Sequence, residues 1–197
     1  MKPRIVTVIL LSFLGAAWPH AQVRPQPSFR HENTPENLEE LMTAVVRQIY
    51  VQESLAEAAA MLRSLVPDES RASSVLKPDL AAVVTQKIFD FHRALAAHAQ
   101  DYDQVTSLAR PEQTVVRVRG ATTEQIRAYK EGSIAYESFP KFARAMAEQV
   151  LRPGVTFYEV EFRKPGETTG MQYHLFYWDG QQWSMLGPLW RVFRSGL

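Results

Sequence analysis

Between residues 38 and 95 apolar side chains recur mostly every three or four positions; after residue 114 the short runs of the chain alternate apolar and polar at every second position. The first period belongs to a helix with one buried stripe, the second to a strand with one buried face. Helices that come first, followed by strands that can pair only with one another, predict one α+β domain. Its N-terminal helices pack on a curved antiparallel β-sheet. No internal repeat and no second block of composition interrupts residues 35–197, so the reading is a single domain.

Thr34-Pro35-Glu36 starts the first helix: a hydroxyl to cap it, proline in the first turn, an acid at the positive end. Leu38, Leu41, Val45, Ile49, Leu55, Ala59, Leu62 and Leu65 extend its stripe until Pro67, and residues 67–74 read as a loop. Pro78-Asp79 opens a second helix with Leu80, Val84, Ile88, Phe91 and Leu95 on one face. Two such helices are expected to pack as an antiparallel pair. Residues 114–120 alternate like a strand. Thr122 and Gln125 form a capping-box pattern for a short helix closing on Gly132. Another helix carries Phe139, Phe142, Met146 and Val150 inward and stops at Pro153-Gly154. Four strands follow, over residues 155–163, 171–178, 181–186 and 189–193.

The first 21 residues have the layout of a secretory signal peptide: Lys2 and Arg4, an apolar run from Ile5 to Trp18, then small residues. Cleavage fits after Ala17 or Ala21, and proline-rich residues 22–34 read as a flexible lead into the domain. The apolar run is shorter than the ~20 residues a spanning helix needs. The chain has no cysteine, hence no disulfide, thiolate metal site or lipid-accepting thiol. Neither Asn33 nor Asn37 lies in a glycosylation sequon. A periplasmic or secreted bacterial protein without a membrane span after cleavage is the expectation. The formal charge of +1 becomes −1 once Lys2 and Arg4 leave, and no basic run survives. A nucleic-acid partner is therefore not expected.

The richest stretch for a site is residues 172–186, QYHLFYWDGQQWSML. An Asp179-Gly180 pair between strands favours a two-residue turn, with Trp178 opposite Gln181, Phe176 opposite Trp183 and His174 opposite Met185. A preceding turn near Glu167 puts Val160 opposite His174 and Phe162 opposite Gln172. One sheet face then gathers Tyr158, Val160, Phe162, Phe176, Trp178, Trp183 and Met185 around His174, the lone ionisable group there. The other face carries Glu159, Glu161, Arg163, Gln182 and Ser184, read as a solvated ladder. A one-residue slip would scramble this sorting. His174 on an aromatic surface is either a core histidine with one partner or a pocket imidazole kept neutral by its surroundings.

Helices followed by a strongly curved antiparallel sheet, an aromatic concave face and a tight hairpin such as YWDGQQWSML resemble the nuclear transport factor 2-like superfamily and its SnoaL-like cyclase branch. The resemblance covers residues 36–194 and is one of element order. It implies a cone whose mouth binds small apolar molecules; some members are acid–base enzymes and many are binding or dimerisation modules. This chain departs from the pattern in its extra helical segments over 122–131 and 139–151, and the family's Asp/His pair falls on no definite positions.

Three functions are carried forward. One is an exported, non-catalytic domain that binds a small apolar or aromatic ligand between sheet and helices through Tyr158, Phe162, His174, Phe176, Trp178, Trp183 and Met185. The second is a homodimer or envelope-protein interface using the outer apolar residues Tyr173, Leu175, Tyr177 and Leu186. The third is an acid–base enzyme using His174 and Tyr158. No cofactor and no metal is expected: His92 and His98 have the wrong spacing for one helix face, and His98, Asp101 and Asp103 lack further ligands.

Overall fold

The computed structural model describes residues 33–97 and 108–187 together with Leu189, and of residues 91, 92 and 94–97 the backbone alone. The expected signal peptide, the strand at 189–193 and the His98, Asp101, Asp103 group fall outside the described residues, apart from Leu189 itself. Elements run α1 (Pro35–Tyr50), α2 (Leu55–Ser64), α3 (Glu69–Ser74), α4 (Pro78–Ala97), β1 (Val115–Thr122), α5 (Thr123–Ala128), α6 (Ile134–Ser138), α7 (Lys141–Gln149), β2 (Thr156–Arg163), β3 (Met171–Trp178) and β4 (Trp183–Met185). The strands form one antiparallel meander in the order β1-β2-β3-β4, so the chain is α+β with its first helices ahead of the sheet.

Local chemistry explains the boundaries. The Thr34 hydroxyl accepts from the Asn37 N–H at 3.3 Å and Pro35 sits in the first turn of α1. The expected long helix is two helices, because Leu55 follows Ile49 by six residues rather than three or four. Glu53 there takes a left-handed φ of 53°. The expected loop at 67–74 contains α3, capped by Asp68, whose side chain accepts from the Arg71 N–H at 2.8 Å. The capping box of Thr122 and Gln125 is present, but α5 ends at Tyr129, before Gly132, with φ 45°. The helix expected through Phe139 is broken there: Phe139 is extended because Pro140 follows it. Phe142 is 36% exposed rather than inward.

Both faces of the sheet are covered. Leu38, Met42 and Val46 of α1 pack with Val116, Val118, Tyr158, Val160, Phe162, Phe176 and Trp183 on one face. Val84 and Ile88 of α4, Ile126 of α5 and Met146 of α7 pack with Ala121, Phe157, Leu175 and Tyr177 on the other. Helices α1 and α4 therefore belong to opposite sides of the sheet and are not the antiparallel pair their stripes suggested. Strand β2 is buried at six consecutive residues, Phe157 to Phe162. That is the burial of a central strand covered on both faces, not of one with a wet side.

Two features set the register. The hairpin between β3 and β4 turns through four residues, not two, so Trp178 faces Trp183 and Phe176 faces Met185. The Asp179 carboxylate accepts from the N–H groups of Gln181 and Gln182, both at 2.9 Å, which widens the turn. A shift of two leaves each of these side chains on its expected face. The β2–β3 pairing contains a bulge. Tyr158 opposes Phe176, but Glu159 opposes His174, leaving Leu175 as the extra residue with φ 65°. Beyond it, Val160 opposes Tyr173 and Phe162 opposes Met171. One inserted residue exchanges the two faces of the strand.

Candidate functional site

The aromatic face is a packed core. Tyr158, Phe162, Phe176 and Trp183 are all under 5% exposed, and burying each of them stabilises the fold by roughly 1.5–3 kcal/mol. Tyr158 and Trp183 meet edge to face at 5.2 Å, and Trp178 meets Trp183 at 5.4 Å. Their polar atoms find partners within the protein. Trp183 Nε1 donates to Asn37 Oδ1 at 2.8 Å, Tyr158 Oη to Asn33 Oδ1 at 2.8 Å, and Tyr173 Oη to the Leu108 carbonyl at 3.0 Å. Phe162, Trp178 and Met185 belong to the same assembly. Six of the seven expected ligand residues are thus together, packed on α1.

His174 is not among them. The bulge at Leu175 turns it to the opposite face, beside Glu159, so its pairing with Met185 and its closeness to Tyr158 are both corrected. The expected solvated ladder is corrected as well: Glu159 is 1% exposed, Glu161 2% and Ser184 0%. The expected outer apolar residues Leu175, Tyr177 and Leu186 are buried in the second core. Tyr173 turns to the aromatic side.

What the face under α6 holds is a polar row. Arg119 of β1 opposes Glu159 of β2, which opposes His174 of β3; the next row is Arg117, Glu161 and Gln172. Arg119 Nη1 donates to Ser138 Oγ at 3.1 Å and lies 3.8 Å from Glu137 Oε2, both on α6. His174 hydrogen-bonds the Ser138 backbone and its ring stands 6.0 Å from that of Phe139. Glu161 Oε1 accepts from the Gly170 N–H at 2.9 Å. In this row Glu159 Oε1 and Arg119 Nε, an acceptor and a donor on directly opposed residues, are buried without a hydrogen-bond partner among the described residues; Gln48 Oε1 and Thr85 Oγ1 are in the same state elsewhere in the fold.

Protonation follows from this setting. Burial pushes the Glu159 carboxyl up to about 7; Glu161 adds to the rise, while Arg119 and Arg117 oppose it. Burial lowers His174 to about 4 despite its hydrogen bond to Ser138, so the imidazole is neutral near neutral pH. The row is a guanidinium, a carboxyl poised between two states, and a neutral imidazole. Among the described residues no group of three or more His, Asp or Glu could hold a metal ion, and no helix is long and apolar enough to cross a membrane.

Fold and row define an α+β protein with a polar site on a buried sheet face. Comparison with models of known protein families, with curated proteins and with solved structures finds no match.

Proposed function

We propose that the chain is an exported protein that binds a small polar molecule at the Arg119–Glu159–His174 row. Export is supported by the basic, apolar, then small-residue pattern of residues 1–21. The observation that carries the site is the pair of buried unpartnered atoms, Glu159 Oε1 and Arg119 Nε. A buried carboxylate oxygen or guanidinium N–H left without a partner costs at least about 1–3 kcal/mol, so a ligand that satisfies both recovers that loss. The aromatic face offers no such incentive, because its polar groups are already met.

Thermal-shift screening of small polar fragments against wild type and Glu159→Gln tests this reading. Stabilisation of wild type that disappears in the variant supports it; fragments that stabilise both equally, or neither, contradict it.

A second reading has the row perform acid–base chemistry, with Glu159 taking and returning a proton while His174 stays neutral. It is favoured by a carboxyl pKa of about 7, the balance a general acid–base group needs near neutral pH. Tyr158, expected as the partner of His174, lies on the other side of the sheet and takes no part. Given a bound fragment with an exchangeable C–H, deuterium incorporation from solvent that Glu159→Gln abolishes while binding persists would favour chemistry over binding alone.

A further inference from the structure

Resting on the site just proposed, the geometry points to its ligand as a small carboxylic acid. Its carboxyl group accepts from Arg119 Nε with one oxygen and shares a single solvent-derived proton with Glu159 Oε1 through the other. Arg119 and Glu159 are cross-strand partners. Their Cα atoms are thus about 5 Å apart, a spacing over which one planar carboxyl can touch both side chains.

Other ligand classes fit worse. A hydrocarbon leaves both buried atoms unpartnered. A cation meets Arg117 and Arg119 and offers Nε nothing, since a guanidinium N–H only donates. A dianion such as phosphate would add a second negative charge beside Glu159, where Glu161 already disfavours one. A primary amide can touch both atoms, donating to an ionised Glu159 and accepting from Arg119, but it keeps the full charge on a carboxylate that burial disfavours. A carboxylic acid with the same total charge moves the negative charge from the Glu161 side toward Arg119. It also makes the shorter, charge-assisted bond between carboxyl and carboxylate.

The groups facing Glu159 are Arg117 and Arg119 from β1, Glu161 from β2 and His174 from β3, with Glu137 of α6 engaged by Arg119. Glu159 rises to about 7 by burial, whereas His174 has fallen to about 4. Where Glu159 is ionised, binding of an acid anion therefore takes up one proton, and binding weakens as pH rises through the neutral range. Glu159 is 1% exposed, which restricts the proposal to a short acid. Ser138 and Phe139 bound the site on the helix side.

The experiment is calorimetric titration of the full mature chain with sodium acetate and, separately, with acetamide, at about pH 6 and about pH 8. Wild type should bind acetate about tenfold more tightly at the lower pH; at about pH 8, where Glu159 starts ionised, the enthalpy should vary with the buffer's own ionisation as nearly one proton is taken up. Glu159→Gln should lose both the pH dependence and the proton uptake. Acetate binding that is independent of pH, or unchanged in Glu159→Gln, overturns the inference. Acetamide binding more tightly at the higher pH while acetate does not bind also overturns it, yet leaves the site standing. Neither probe shifting the Glu159 carboxyl or Arg119 Nε resonances rejects site and inference together.

Discussion

Glu159 and His174 oppose each other across two strands, and the fold pulls their protonation equilibria in opposite directions. Glu159 rises from 4.5 to about 7, so the folded state holds its proton more firmly than the unfolded chain does. Below about pH 4.5 its contribution is fully present. From there to about 7 stability falls as pH rises, by about 3 kcal/mol in total, and then levels off. His174 falls from 6.5 to about 4, so its contribution is intact above 6.5 and is lost as pH drops toward 4. The two effects oppose each other over the same interval, and wild-type stability should be nearly flat between about pH 4.5 and 6.5. Urea unfolding across pH checks this. Glu159→Gln should gain about 2–3 kcal/mol at pH 8 and then lose stability on acidification, while His174→Gln should gain stability on acidification. Two variants with identical pH profiles would refute the assignment.

The bulge in β3 decides which residues share a face, and it depends on Leu175 at φ 65°. A left-handed leucine costs about 1–2 kcal/mol, offset by a side chain that is 2% exposed in the second core. Truncation should therefore reverse the ordinary strand order. Leu175→Gly should be more stable than Leu175→Ala by about 1 kcal/mol, since only glycine takes this φ freely. Alanine proving the better replacement in thermal unfolding would mean that the left-handed turn is absent. The β3–β4 turn has its own support. Arg71 of α3 pairs with Asp179 and donates to Ser184 Oγ and, at 3.0 Å, to the Trp183 carbonyl. Asp179 is pushed up by burial, but the N–H groups of Gln182 and Gln181 and the Arg71 guanidinium outweigh that and hold it below the usual range. Its contribution is present above about pH 4 and lost as pH falls through the lowered value. Arg71→Ala, which strands a nearly buried carboxylate, should cost about 3 kcal/mol at neutral pH in the same unfolding assay. At β1, Gly120 lies under the Tyr158 ring, where an added Cβ would come within 2.7 Å of Cε1. Gly120→Ala should destabilise by about 1–3 kcal/mol.

Seen as one body, the sheet is shared by two cores, and β2 contributes to both. Loss of either core exposes the same strand, so unfolding followed by helical circular dichroism and by tryptophan fluorescence should give coincident transitions; separated midpoints would contradict a shared central strand. Much of this architecture is readable from periodicity and punctuation: the Thr34 cap, the Pro78 start, the Thr122–Gln125 box and all four described strands. The faces of the first half of β3 are not, because a left-handed leucine carries no local signal that Gly or Asn would have carried. The hydrophobic sorting across β2, β3 and β4 looked self-consistent in the unbulged register, since Tyr158, Phe176 and Trp183 stay together in either one. Only His174 and its neighbours change sides. Burial of Glu159 and Glu161 was equally hidden: a strand with alternating glutamates reads as half wet unless helices from distant sequence cover it, and α5 to α7 are set there by tertiary packing. The helix break at Phe139-Pro140 did have a signal, the extended preference of a residue before proline.

The most direct measurement is the titration of the Glu159 side-chain carboxyl by carbon-detected NMR, its resonance assigned through Glu159→Gln. A midpoint near 7, with His174 remaining neutral down to about pH 5, is the expected result. A Glu159 midpoint at the ordinary value of 4.5 would place that carboxyl in water and remove the basis for the site.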